Sequence, residues 1–375
     1  MTRIAVVFLL ALATLTLDAQ GGQFKRATYY WVGQRPYRVV ATELTNSGNV
    51  DLAMADYLGN QVSILLGNGD GMFQKPLRFS VPGPISLAAG DFNEDGNLDL
   101  AVVEDVGTGD GTIAIFLGDG KGRFKLSASY PLGPVSVSVA VADFNGDGHL
   151  DVAVTNKAFS GPGNMMTFFG DGHGKLRSRK TYKVAGAPFG IAAADLNGDH
   201  HPDLAITQFS NGSIAVLLND GTGHFKKPVS YNAGGGEVVD VKIADLRHDG
   251  RNDLVAVNGS KNELAVLLNK GDGTFEEPSF YVTGFEWGSG TEAVALADFN
   301  RDGHLDVAAV NQLENSVLLY GRGDGTFKPA IEIHDKIRSD GGFSIASGDF
   351  NHDGAPDLAI PIESYGKVAI LLNTK

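Results

Sequence analysis

The chain contains no cysteine, which removes disulfides, thiolate metal sites, cysteine nucleophiles and lipid attachment through sulfur at one stroke. It is also short of positive charge. Lys and Arg number 30 against 44 Asp and Glu, a formal net charge of −14 at pH 7. That balance is repelled by nucleic-acid phosphates and by anionic membrane surfaces, so neither is expected as a partner. Signatures of catalysis are missing as well: there is no H-E-x-x-H, no G-x-S-x-G and no G-x-x-x-x-G-K-[ST]. The nine histidines are scattered, six of them inside the acidic loops described below.

Long apolar runs are absent except at the start. Met1-Thr2-Arg3 is followed by an apolar stretch from Ile4 to Leu17, then by Leu17-Asp18-Ala19. About 14 apolar residues are too few to span a bilayer, and the small residues offer a cleavage site. Residues 1–19 therefore read as a cleavable export signal and 20–375 as the mature protein, secreted to the periplasm or outside the cell. A buried first strand or an uncleaved anchor is the alternative. A secreted chain without disulfides must be held together by some other staple or by a large core.

What the chain has in abundance is glycine, 50 of 375 residues, with 43% hydrophobic residues. Glycine at nearly twice the usual share of about 7% points to many tight turns and many short strands. An internal repeat accounts for both. A nine-residue segment of the form D-x-N-x-D-G-x-x-D occurs at 91–99, 143–151, 195–203, 245–253, 298–306 and 349–357, with a degraded copy at 43–51. Around each copy the pattern is constant: a small apolar segment before it, a Val/Ala/Leu run after it, a second apolar run, a Gly-Asp-Gly-type turn, and an aromatic that opens a further strand. Four strands in about 50 residues make one propeller blade. The last copy stops after its third strand, and Gly22-Gln23-Phe24-Lys25 at the front matches the fourth-strand entry Gly273-Thr274-Phe275-Glu276. The expectation is an all-β, seven-bladed propeller, monomeric, closed by its N-terminal strand.

The repeated loop has the chemistry of a Ca²⁺ site. Side-chain oxygens stand at positions 1, 3, 5 and 9, a backbone carbonyl is expected from position 7, and glycine at position 6 permits the positive φ that folds the loop back. An all-oxygen set rich in carboxylates suits a hard cation of flexible coordination. Complete sets are Asp91, Asn93, Asp95, Asn97 and Asp99; Asp143, Asn145, Asp147, His149 and Asp151; Asp298, Asn300, Asp302, His304 and Asp306; and Asp349, Asn351, Asp353, Ala355 and Asp357. The fourth copy, Asp195, Asn197, Asp199, His201 and Asp203, has His200 in place of the glycine. The fifth, Asp245, Asp249, Arg251 and Asp253, has Arg247 at position 3, where its charge can stand in for part of an ion. The first has only Glu43, Thr45, Ser47 and Asp51 and is expected to be weak or empty. Four to six Ca²⁺ ions are expected, and six would bring the net charge from −14 to about −2.

Taken whole, Ala142-Asp143-Phe144-Asn145-Gly146-Asp147-Gly148-His149-Leu150-Asp151-Val152-Ala153-Val154 and its counterparts resemble the FG-GAP (VCBS-type) repeat of the integrin α-subunit propeller and of many secreted bacterial proteins. The resemblance implies that the Ca²⁺ loop joins the first and second strands of each blade on one face, with partners bound on the other. It extends to adhesion receptors, fungal lectins and polysaccharide-active proteins, so function is not carried over with the fold.

On the face away from the loops the sequence offers Trp31, Arg35 and Tyr37; 105–110; Phe159 to Asn164; Phe209 and Asn211; Phe285, Glu286 and Trp287; Arg338 and Asp340; and Glu363 and Tyr365. Aromatics beside charged and amide groups suit sugar rings or peptide side chains; packing over blade interfaces is the competing role for each. The reading is a Ca²⁺-stabilised recognition or adhesion module for an extracellular protein or glycan. The alternatives are a lectin with inter-blade sugar sites and a polysaccharide lyase or hydrolase with acids meeting in the central channel.

Overall fold

The structure, a computed structural model, describes residues 23–105, 111–133, 135–157, 163–284, 290–312, 315–333 and 343–375. The export signal assigned to residues 1–19 lies outside the described residues. The described chain forms seven four-stranded antiparallel sheets. Blades 1 to 6 occupy 36–80, 84–133, 136–184, 188–232, 238–282 and 291–332, and blade 7 combines 346–371 with 28–31. The innermost strand of each blade neighbours that of the next, and blade 7 returns to blade 1.

Burial explains the composition of each strand. The second strands, such as Asp51–Asp56, Asp151–Asn156 and Asp253–Asn258, are buried along their whole length. They lie between two neighbouring blades and therefore read as unbroken apolar runs rather than alternating ones. Fourth strands such as Leu77–Ser80 and Val229–Asn232 form the exposed rim. The core is divided among the blade interfaces. Ala101, Val103, Ile113 and Ile115 of blade 2 meet Val139, Val152, Val154 and Phe168 of blade 3. Across the ring closure, Phe350, Ala359, Val368 and Ile370 meet Val39, Leu52, Met54 and Leu65. Each such Val, Leu, Ile, Met or Phe side chain contributes about 1.5–3 kcal/mol through burial, which is how a chain without disulfides reaches stability.

The closure is as expected from the ends of the sequence. Thr28–Trp31 pairs antiparallel with Lys367–Leu371, Thr28 facing Ile370 and Trp31 facing Lys367. Ahead of it Phe24 pairs with Asn373, and the Lys25 amide donates to the Leu372 carbonyl at 2.7 Å. One local expectation is corrected. In blades 1, 4, 5 and 6 the aromatic (Phe73, Phe225, Phe275, Phe327) makes a single bridge, and the regular strand starts only later. Pro76, Pro228, Pro278 and Pro329 follow within three residues, and proline has no N–H with which to continue the ladder. Blade 2 lacks this proline, and its fourth strand runs unbroken through Phe124–Gly133. The bridging Phe is an anchor instead: Phe225 packs on Phe144 and Tyr182, each at 5.5 Å between ring centroids.

Candidate functional sites

The acidic loops all join first to second strands and so lie on one face, the loop face. Their geometry is set mainly by backbone N–H groups. In loop 143–151, Asp143 accepts from the Gly146 and Gly148 amides at 2.7 and 2.8 Å, Asn145 from Asp147 at 2.9 Å, and Asp147 from His149 at 3.0 Å. Asp151 is fully buried and accepts from the Phe144 amide at 2.9 Å and from Gly170 of the third strand at 2.8 Å. The same bond from position 6 to position 1 recurs at Asp91, Asp195, Asp245, Asp298 and Asp349. Position 6 has positive φ throughout. His200 holds +66° there, a conformation that costs a residue with a β-carbon about 1 kcal/mol or more.

Among the described residues no three His, Cys, Asp or Glu side chains form a ready metal-binding group. The donor chemistry nevertheless fits a hard cation, because every candidate ligand is oxygen and the charge is unbalanced. Burial, then the remaining aspartates of the same loop, push Asp99, Asp151, Asp203, Asp306 and Asp357 up to about 6. The fifth loop differs. Arg247, only 14% exposed, places its guanidinium in the loop and donates to Asp253 at 2.7 and 3.2 Å and to the Asn269 carbonyl at 2.8 Å. Asp249 lies 3.5 Å away. The protein thus supplies its own cation to the buried position-9 carboxylate, which in the loops of Asp151, Asp306 and Asp357 has none, although at the rim Arg301 reaches Asp353 at 3.4 Å. Arg247 lowers the pull that burial exerts on Asp253. Arg251 turns outward to Asp249. The first loop is satisfied by hydroxyls and amides: Asp51 accepts from the Leu44 and Thr45 amides and the Thr45 hydroxyl, and Glu43 from Gly48.

Two features of this face were not drawn from the sequence. Position 4 of one loop reaches the next loop: Asn46 donates to Asn97 at 3.1 Å, Glu94 pairs with His149, and His352 bonds Asn49 at 2.8 Å. The Glu94 partner raises the His149 pKa. In addition, Asn219, Asn269 and Asn373, almost fully buried at the ends of third strands, each donate to two carbonyls. One carbonyl is in the same blade and one belongs to the preceding blade's loop; for Asn373 they are Pro356 and Phe299. The repeated Leu-Leu-Asn endings were the available signal.

On the opposite, open face the expected residues divide. Trp31, Arg35, Glu363 and Tyr365 converge on one cleft of about 800 Å³. Tyr37 instead stacks on Phe343 at 4.6 Å, and burial raises its hydroxyl pKa. Phe209 packs against Phe189 at 5.6 Å and lies 3.6 Å from the Lys157 ammonium. Asp105 and Lys157 line a second pocket of about 250 Å³ with Arg35, Tyr37, Tyr57 and Phe189, Arg35 being shared with the cleft. Asn164 pairs with Lys183 inside blade 3, and the Asn211 amide closes a turn onto the Gln208 carbonyl at 3.1 Å. Phe159, Phe285, Glu286, Trp287, Arg338 and Asp340 lie outside the described residues.

Comparison with known proteins agrees with this architecture. The chain spans 94% of its length against each of three solved structures. An Agrocybe aegerita lectin that recognises non-reducing terminal N-acetylglucosamine aligns with a TM-score of 0.58 and 16% identity over 96% of the lectin. BBS1N, solved in complex with ARL6DN, aligns at 0.64 and 11% over 98% of its chain. Raptor of Chaetomium thermophilum aligns at 0.60 and 14% over 29% of its length. At these identities the likeness is one of fold. No curated protein matches in sequence. The model of the FG-GAP-like repeat matches residues 44–102, 103–154, 200–256, 245–309 and 298–360, well over half of the chain, and the chain belongs to the FG-GAP-like repeat family.

Proposed function

We propose that this propeller is a secreted, monomeric recognition module in which Ca²⁺ holds the loop face and an extracellular protein or glycan binds the open face. The observation that carries the Ca²⁺ part is Arg247: where one loop has a guanidinium between its carboxylates, its sister loops present the same buried acid with no countercharge. Asp91, Asp143, Asp195, Asp298 and Asp349, with their partners at positions 3, 5 and 9, would hold the ions. Bound there, Ca²⁺ neutralises the carboxylates and ties loop to strand; the residues themselves orient the oxygens through their own amides. The recognition part is supported by the contrast between faces. The loop face repeats blade by blade, whereas the open face differs at each blade, as expected where a partner is selected.

A lectin is the second reading, favoured by full-length likeness to a lectin and by exposed aromatic rings at Trp31 and Tyr365. A glycan array and an extracellular-protein library, both probed in millimolar Ca²⁺, test the recognition role, and emptiness of both would refute it. Elemental analysis with melting in chelator tests the ion. An unchanged melt and no bound metal would refute that part.

A further inference from the structure

The cleft at the ring closure breaks the repeat in a specific way. Trp31, the last residue of the closing strand, and Tyr365, between the second and third strands of blade 7, are 56% and 60% exposed and both line it. Their counterparts by strand position are Ser80 and Gly59 in blade 1, Asn232 and Asn211 in blade 4, and Val282 and Lys261 in blade 5. No other of these blades carries two rings there. Trp31 is braced from behind: the Arg78 guanidinium lies 4.7 Å from its ring centroid and donates to the Trp31 carbonyl at 3.1 Å.

The floor is bare backbone. The Val32 and Gly33 amides reach the Gly366 carbonyl at 2.9 and 3.3 Å. A β-carbon on Gly366 would come within 2.0 Å of the Gly33 carbonyl oxygen. Around the rings stand the amides Gln34 and Gln312 and the hydroxyl of Ser364. The one cation among the described lining residues, Arg35, is already paired with Glu363.

We propose that this cleft is a single binding site for a neutral oligosaccharide, one per ring. The chemistry selects that class. Two exposed rings offer flat apolar faces to the C–H faces of a pyranose, and amides and a hydroxyl offer donors and acceptors to its rim. Arg35 is paired with Glu363 and Arg78 is turned onto the Trp31 ring and the Trp31 and Val32 carbonyls, and the chain's −14 disfavours an acidic sugar. Its volume of about 800 Å³, in a cleft wide open to solvent, falls within the range of ligand pockets, about 300–1,000 Å³. The proposal rests on the reading of the open face as a recognition surface and names the ligand class for one place on it.

The test uses the full chain in millimolar Ca²⁺ on an array of neutral and acidic oligosaccharides. Calorimetric titration of the best soluble neutral hit against wild type, Trp31→Ala, Trp31→Phe and Tyr365→Ala then follows. One site per chain is expected, with affinity at least about tenfold weaker in either alanine variant and largely kept in Trp31→Phe. Tyr365→Ala, at an exposed turn, should melt as wild type does, so its loss of binding would not reflect misfolding. Full affinity in both alanine variants, several equivalent sites per chain, or binding confined to acidic glycans would overturn the cleft while leaving a recognition role standing. An array with no binding would overturn the sugar ligand, and recognition itself would fall only if the extracellular-protein library were empty too.

Discussion

Replacing Arg247 with Asn should convert the fifth loop from a self-neutralised one into a metal-dependent one. The guanidinium makes three hydrogen bonds of 2.7 to 3.2 Å, two of them to the buried Asp253. Removing one partner of a buried charge pair costs about 3–5 kcal/mol when nothing replaces it. That deficit should appear in full in chelator. Asn supplies the position-3 oxygen that Asn145 supplies in the third loop, so the variant loop should accept an ion. At a hundred times its dissociation constant that ion returns about 2.7 kcal/mol, leaving a deficit of about 0.3–2.3 kcal/mol by difference. Denaturant midpoints of wild type and variant, measured in chelator and in saturating Ca²⁺, give the two gaps. Elemental analysis should find one more Ca²⁺ per chain in the variant. Arg247→Met, with no oxygen to offer, should keep the full deficit in both media. Equal gaps in both media for Arg247→Asn, with no added metal, would refute the reasoning.

Asp147→Ala should lose Ca²⁺-dependent stabilisation and one ion, while Ser47→Ala in the first loop should leave metal content unchanged; metal analysis of both checks this. Asp56 is fully buried with one oxygen unpartnered, and burial raises it to about 7. Its folded pKa lies above the ordinary value of 3.8, so the folded chain keeps the proton longer and stability falls as pH rises from about 4 to about 7. Asp56→Asn should remove that slope and be more stable than wild type at pH 8, by at most about 4 kcal/mol, with no gain at pH 4, as read from melts across pH. Asn373→Ala should cost about 1–3 kcal/mol by removing the donor to the Pro356 carbonyl and leaving the Phe299 carbonyl to Gln23 alone, measured as a lowered denaturation midpoint.

The architecture was legible because it is written many times over. Six near-identical loops and their flanking apolar runs define the blade, and Phe24 matching Phe275 reveals the closure. Arg247 could be singled out because a cation stands where the pattern wants an oxygen. What escaped depends on distances between loops, which no local pattern carries. Glu94 meets His149 and His352 meets Asn49 only because neighbouring loops lie side by side on one rim. The prolines that delay the fourth strands stand in the sequence at Pro228 and Pro278, yet the aromatic before each matches the pattern of a strand start and sets the boundary too early. On the open face, the sequence assigns Trp31, Tyr37 and Phe209 equally to variable segments. Only the structure separates Trp31, which stays exposed, from Tyr37 and Phe209, whose rings are occupied by Phe343 and Phe189.

The strand that closes the ring also decides what any occupant of the adjoining cleft must grip. Trp31 and Arg35 belong to the beginning of the described chain and Glu363 to Gly366 to its end, held together by backbone bonds such as Val32 to Gly366 at 2.9 Å. A molecule seated there spans the joint like a rivet through a buckle. Its binding free energy adds to the free energy that keeps the ring shut, so occupancy slows the opening of the one junction that covalent continuity does not secure. Resistance to proteolysis near residue 30 then becomes a measure of occupancy, and a circular permutant with that junction covalently joined would lose the coupling while keeping the cleft.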